Sequence, residues 1–240
     1  MPRLYVDTTL ESGQEITLPP AAAHHVRSVL RLARDAEVIL FDGRGPAYEA
    51  RLTLVSRERV QALIGAALPD CTESPLAVTL VQSISRGERM DYTLQKAVEL
   101  GVRRIIAVTS LRTVVRLDAN RAQKRLDHWR GVVMHAAQQS GRTLLPAVEG
   151  VGTLADWADR ATGTRFLLQP AAPAPLARQA APAGPVTLVA GPEGGFAERE
   201  VTALLASGVT PVALGPRILR TETAAVCALA VMQALWGDLA

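Results

Sequence analysis

The sequence predicts an α/β protein built as a small β-barrel followed by a larger domain of alternating strands and helices. Three observations predict it. Residues 1–68 run in short apolar pieces separated by Pro, Gly and Asp, the rhythm of short strands joined by turns. Beyond Pro75 the rhythm becomes apolar strand, helix, apolar strand, which builds a parallel sheet with ligands expected at the carboxyl ends of its strands. At 240 residues, 48% hydrophobic and 20% charged, the chain is long enough for one large or two ordinary globular domains.

Within the first part, strands are predicted at Arg3–Val6, Glu15–Leu18, Glu37–Phe41, Tyr48–Val55 and Val60–Leu68, with turns at Pro19-Pro20, Asp42-Gly43 and Gly45-Pro46. A helix over Ala21–Leu32 interrupts them, because His25, Val29 and Leu32 recur at helical spacing. The stretch from Pro69 to Pro75 combines two prolines with small polar residues and reads as a linker, placing the domains at 1–72 and 73–240. Strands follow at Val78–Ile84, Arg104–Thr109, Thr164–Gln169, Val186–Ala190 and Pro211–Leu214, continuous apolar runs of the kind buried on both faces. Helices are predicted at Asp91–Leu100, Ala122–Gln139, Leu154–Ala161, Glu198–Ala206 and Glu222–Trp236. The Ala/Pro-rich segment 171–185 reads as a flexible excursion without an assignable role.

Composition narrows the function classes. Cys71 and Cys227 are the only cysteines and stand far apart, which excludes a disulfide framework and a cysteine zinc site and suggests a reduced, cytoplasmic protein. The start carries Asp7 and no apolar run, unlike a secretory signal. Thr223–Trp236 is too short to span a bilayer, so no membrane role is expected. The net charge of +3 is unevenly spread: between Arg86 and Arg142 twelve Arg or Lys face five Asp or Glu, a field that attracts a polyanion. Only Lys96 and Lys124 are lysines, a bias that fits either a GC-rich genome or bidentate phosphate recognition.

Two loops leave their strands unusually. Val186–Ala190 runs into Gly191-Pro192-Glu193-Gly194-Gly195-Phe196, and Val212–Leu214 runs into Gly215-Pro216-Arg217-Ile218-Leu219-Arg220-Thr221-Glu222-Thr223. Glycines let backbone approach a flat ligand and offer it N–H and C=O groups, although one such loop alone can simply turn a strand into a helix. The chain lacks G-x-x-x-x-G-K-[ST], and the first loop does not fit G-x-G-x-x-G, which argues against an NTPase and a standard dinucleotide fold. Glu193 repels phosphate, so a neutral adenosine-bearing ligand fits better than a triphosphate.

The paired loops resemble the signature of the SPOUT methyltransferases, and the chain is most similar to the RsmE family, the 16S ribosomal RNA uridine-N3 methyltransferases. Val29-Leu30-Arg31, Phe41-Asp42-Gly43, Ser85-Arg86-Gly87-Glu88-Arg89-Met90-Asp91 and Gln95-Lys96-Ala97-Val98-Glu99-Leu100-Gly101 agree with that family. The resemblance implies a PUA-like RNA-binding barrel, a SPOUT-type α/β domain with a deep trefoil knot, a homodimer with shared active sites, and S-adenosyl-L-methionine as cofactor. It assigns cofactor binding to Leu168, Gln169, Gly191, Glu193, Gly194, Gly195, Leu214, Gly215, Ile218, Leu219 and Thr223. The partner it implies is 16S ribosomal RNA, free or in the assembled small subunit.

Methylating N3 of uracil requires loss of a proton, so the site must stabilise an anion, and cations do that. Arg220 is expected beside the cofactor in a catalytic role, while Arg31, Arg86, Arg89, Arg112 and Arg142 are expected on RNA. Glu222 is open to two readings, an acid complementing a helix dipole or a group at the reacting base. Gln138 stands where the family often carries Glu, Leu111-Arg112-Thr113 where many relatives read Glu-Arg-Ser, and His135 where the family typically has a small or apolar residue. His24-His25 point in different directions on a helix and lack a third ligand, so no metal is expected. Alternatives are another SPOUT enzyme with a different target and a catalytically silent RNA-binding assembly factor.

Overall fold

The structure is a computed structural model that describes residues 1–69, 72–113 and 119–239; the linker expectation at Asp70 and Cys71 lies outside these residues. The chain forms two compact units, one of Met1–Glu73 with Ala137–Leu145, the other of Ser74–Ala136 with Pro146–Ala240.

In the first unit β1 (Arg3–Tyr5), β2 (Glu15–Thr17), α1 (Pro20–His24), β3 (Glu37–Phe41), β4 (Tyr48–Val55) and β5 (Val60–Ala67) follow in order. The strands form a sheet ordered β1-β3-β4-β5-β2, in which β1 runs parallel to β3 and the other neighbours are antiparallel. Alternation does the sorting: Val38 and Leu40, Ala50 and Leu52, Ala62 and Ile64 point inward and are almost fully buried, and register shifts in the β4–β5 ladder bend the strands around this core. The helix expected over Ala21–Leu32 starts with a proline in its first turn and loosens at His25–Val29 into a wider π turn, where Leu30 N–H donates to the His25 carbonyl. It stops before its apolar spacing does, because Arg31 turns to φ +52°. Phe41-Asp42-Gly43 turns sharply at φ +79°, and a Cβ on Gly43 would stand 2.7 Å from the Leu145 Cβ, so only glycine lets residues 144–145 lie against this corner.

The second unit contains β6 (Val78–Ser83), α2 (Glu88–Glu99), β7 (Arg104–Thr109), α3 (Ala119–Ser140), β8 (Ala147–Thr153), α4 (Leu154–Ala158), β9 (Thr164–Leu168), β10 (Val186–Ala190), α5 (Glu198–Ala206), β11 (Thr210–Val212) and α6 (Thr221–Trp236); only the last turn of α3 counts with the first unit. Among the described residues its strands form one parallel sheet ordered β11-β9-β10-β6-β7-β8. The apolar runs predicted for it lie inside: Leu80, Val81, Ile105, Val108, Leu167, Leu188 and Val189 are at most 1% exposed. Each such side chain contributes about 1.5–3 kcal/mol by leaving water.

Three departures from the sequence reading stand out. Strand β8 was not predicted, since Gly150 and Gly152 dilute its pattern and an edge strand is covered on one side only. The Ala/Pro-rich segment is not a free excursion, because Leu176 is fully buried, its N–H donates to the Ala213 carbonyl, and its short 3-10 turn packs on α6. Helix α4 also ends earlier than expected, although Thr153 and Asp156 give it a reciprocal cap.

Candidate functional site

The β10 and β6 strands lie side by side, and successive connections leave them in opposite directions across the sheet, the place where a parallel α/β sheet opens a crevice. At the carboxyl ends of β9, β10 and β11 a cavity of about 430 Å³ is lined by both glycine loops, with Leu168, Gln169 and Pro170 on one wall and Arg89, Arg217 and Arg220 beside them. Gly195 and Gly215 have φ of +67° and +101°, and beyond the adjoining residues no protein atom lies within 4 Å of where a Cβ would stand on either. Both residues line the cavity, and the space beside their backbone is open. Apolar Leu168, Leu214, Leu219, Pro192 and Phe196 complete walls suited to a purine.

The first loop is held from three sides. Thr221 Oγ1 donates to the Gly191 carbonyl, and Gln82 Nε2 donates to Thr221 Oγ1 at 3.2 Å. Glu193 accepts from Arg86 N–H at 3.0 Å and from Arg89 Nη1 at 3.1 Å. Arg112 Nη1 donates to the Gly194 carbonyl at 3.0 Å. Partial burial opposes the charge of Glu193, but the backbone N–H groups of Arg86 and of Glu193 itself, with the Arg89 guanidinium, outweigh it and hold the carboxyl below its ordinary pKa. Arg89 Nε also lies 3.9 Å from Glu222 Oε1, so one guanidinium stands between two carboxylates.

Of the residues expected at the cofactor, Leu168, Gln169, Gly191, Glu193, Gly195, Leu214, Gly215, Ile218 and Leu219 line the cavity, with Ile218 at its rim and 87% exposed. Gly194 and Thr223 do not line it; Gly194 faces Arg112, and Thr223 is exposed on α6. Arg220 lines the cavity, and its backbone precedes the first turn of α6 without a side-chain cap. Glu222 stands behind Arg89 in that first turn rather than in the cavity wall, and its Oε2 is buried without a hydrogen-bond partner among the described residues.

Arg31, Arg86, Arg89 and Arg112 are exposed. Arg142 is not: its side chain is 3% exposed and grips Glu73 through Nε at 3.1 Å and Nη2 at 2.6 Å, while Glu73 also accepts Leu144 N–H. A guanidinium spent in this way inside the first unit is not presented to RNA, which corrects the sequence expectation at this position. Gln138 accepts Tyr5 N–H there, far from any role as an acid, and His135 is exposed. The residues missed by sequence reasoning are Gln82, Thr221 and Arg217. Gln82 stands out in the sequence as a lone amide near the end of an apolar strand, whereas no local signal sets Thr221 apart from the residues beside it. Among the described residues no group of three or more His, Cys, Asp or Glu could hold a metal, and no helix is long and apolar enough to cross a membrane.

Residues 72–233 match the RNA methyltransferase domain family, and residues 18–65 match the RNA methyltransferase PUA domain family. The ribosomal RNA small subunit methyltransferase E of Mycobacterium bovis is 33% identical, over 96% of this chain and 90% of its own. The crystal structure of the Neisseria gonorrhoeae protein of that name, bound to S-adenosylmethionine, superposes with a TM-score of 0.95 at 41% identity over 100% of both chains. A Legionella pneumophila methyltransferase structure, also in complex with S-adenosylmethionine, gives a TM-score of 0.93 at 36% identity over 99% and 98% of the two chains.

Proposed function

The chain belongs to the ribosomal RNA small subunit methyltransferase E family, and from that premise we infer that it uses S-adenosylmethionine to methylate N3 of a uridine in 16S ribosomal RNA. The observation that carries this reading is the cavity itself, in which two glycine loops at parallel strand ends face arginines 89, 217 and 220. The two relatives solved with S-adenosylmethionine share this fold over nearly the whole chain. When bound, S-adenosylmethionine supplies a methyl group already activated on a sulfonium.

This chain's residues then have separate tasks. Leu168, Leu214 and Leu219 enclose the apolar part of the ligand, and the glycine backbones at 191, 195 and 215 allow its edge to come close. Arg220, on the cavity wall, stabilises the anion that spreads over O2, N3 and O4 as the imino proton leaves. Glu222 acts behind it by orienting Arg89, which Glu193 holds from the other side. Arg86 and Arg112 present guanidinium groups to the RNA backbone, and Arg31 does so from the barrel unit. Gly194 takes part through its carbonyl, which fixes Arg112.

The path of the chain supports a trefoil knot, since after edge strand β11 it returns so that Thr221 meets Gln82 of the central strand β6 and α6 packs on α2 and β10. An apolar stripe left on α6 supports a homodimer, and a ribosomal RNA substrate supports a cytoplasmic enzyme. The direct test incubates the protein with S-adenosylmethionine and small subunits lacking the modification, then maps the product nucleoside by mass spectrometry. One new N3-methyluridine in 16S RNA is expected; a methyl group on another atom or base contradicts the reading.

A further inference from the structure

The geometry points to Gln82 as a positioning residue that, through Thr221, fixes the first carbonyl of the cofactor loop. This inference rests on the S-adenosylmethionine reading above. Gln82 is fully buried near the end of β6 and sits directly opposite Ala190 in the parallel ladder, one residue before Gly191. Its Nε2 donates to the Ser83 carbonyl at 3.0 Å and to Thr221 Oγ1 at 3.2 Å. Since the Ser83 carbonyl can only accept, the atom between these partners must be the amide nitrogen. The Gly191 carbonyl can likewise only accept, so the Thr221 hydroxyl donates to it and turns a lone pair toward Gln82. The direction of the relay is fixed from end to end: amide N–H to hydroxyl, hydroxyl to carbonyl.

Its place in the fold gives the relay a purpose. Gly191 precedes Pro192, which has no N–H, and Gly195 N–H closes the turn onto the Pro192 carbonyl, so the Gly191 carbonyl is the main-chain acceptor by which neighbouring segments can set the loop's entry angle. The same hydroxyl belongs to the first residue of α6 and lines the cavity, so one side chain ties the loop to the helix that follows the second glycine loop. The Gln82–Thr221 bond is buried, with Gln82 unexposed and Thr221 7% exposed, which keeps water from replacing it. The Gln82 Oε1 is buried without a hydrogen-bond partner among the described residues, so the side-chain bonds this amide makes run through its donor end.

The test measures S-adenosylmethionine affinity by calorimetry, RNA affinity without cofactor, and melting temperature on full-length Gln82→Met, Thr221→Val, Thr221→Ser and the Gln82→Met/Thr221→Val pair. Loss of the relay is expected to weaken S-adenosylmethionine binding roughly tenfold in Gln82→Met and in Thr221→Val, the scale of one buried hydrogen bond. Thr221→Ser keeps the hydroxyl and stays within about twofold of the parent, and the double variant is no weaker than the worse single one, because both substitutions break one chain of bonds. In steady-state assays the KM for S-adenosylmethionine rises while kcat at saturation and RNA affinity hold. Folded Gln82→Met with parental affinity, additive losses in the pair, or equal losses in the serine and valine variants each overturn the relay. Should Gln82→Met fail to fold, the serine and valine pair decides alone. A parent protein that does not bind S-adenosylmethionine overturns instead the functional reading beneath it.

Discussion

Gly195 and Arg220 both line the cavity, and substitutions at these single positions test the roles proposed for them. Gly195 combines φ +67° with a place on the cavity wall, so an added side chain there is strained and is expected to disturb the ligand loop. In Gly195→Val the left-handed backbone costs about 1–2 kcal/mol and the branched side chain fills the opening. The variant is expected to keep its circular dichroism spectrum and lose measurable S-adenosylmethionine binding in calorimetry; unchanged affinity removes the loop from the site. Arg86 and Arg220 separate by kinetics. The bond from position 86 to Glu193 comes from the backbone, so Arg86→Ala leaves the loop anchored and removes only an exposed cation. It should weaken RNA binding and reduce the salt dependence by roughly one counterion, with little change in turnover at saturating RNA. Arg220→Ala should lower turnover by on the order of a hundredfold while both affinities persist, because the lost interaction is made mainly in the transition state. Raising the pH toward the uridine pKa should partly restore the Arg220 variant and not the Arg86 one. If both variants lose only RNA affinity, the anion is stabilised elsewhere.

At the scale of elements, helix α6 carries the most information because it is fastened at both ends. Thr221 ties its start to Gly191, and Gln233 ties its last turns to the start of the domain: fully buried, Gln233 donates to the Leu100 carbonyl at 2.8 Å and accepts from Ser74 Oγ at 2.7 Å. Gly101 leaves room for this amide, since a Cβ there would come within 2.8 Å of Gln233 Nε2. Gln233→Leu orphans the Leu100 carbonyl and is expected to cost about 2 kcal/mol in chemical denaturation with an unchanged m-value; a neutral result leaves the pin without energetic weight. The sequence showed α6 as an apolar run and even showed Gln233 interrupting it, but not that the amide serves two distant partners, because residues 74 and 233 meet only in the folded sheet. The same limit separates what was legible from what was not. Continuous apolar strands and the two glycine loops could be read from period and composition, and most of the residues expected around the ligand line one cavity. The edge strand β8, with its two glycines, carried no comparable pattern. Arg142 looked like other loop arginines until folding brought Glu73 beside it. The opposite fates of Arg142 and Arg220 depend on long-range neighbours, which no local pattern encodes.

For the whole molecule, the outer side of α6 poses the remaining question of assembly. Ala225, Ala228, Leu229 and Met232 are fully buried within the chain, whereas Val226, Cys227, Ala230, Val231, Ala234 and Leu235 form a second stripe that is exposed or half covered, Leu235 at 45%. Helical spacing puts these six on one side of the helix, and they carry no charge. A contiguous apolar stripe of this kind suits the homodimer proposed above, since a closed pair of identical chains would bring the same stripe together twice and double the apolar area removed from water for one surface. The stripe belongs to the helix that opens with Thr221 at the cavity, so pairing through α6 brings two sites to one interface region. Light scattering of the purified protein should therefore give about twice the 25.6 kDa chain mass. Replacing Ala230 by Glu places a charge in the middle of the stripe without touching the inner face, and a buried unpaired carboxylate opposes association. Ala230→Glu is expected to run at the single-chain mass with its circular dichroism spectrum intact and with methyl transfer reduced, the outcome expected of the shared active sites that the family resemblance implies. A parent chain that is monomeric and fully active, or an Ala230→Glu monomer with parental turnover, shows that one chain completes the site and that the stripe serves another contact.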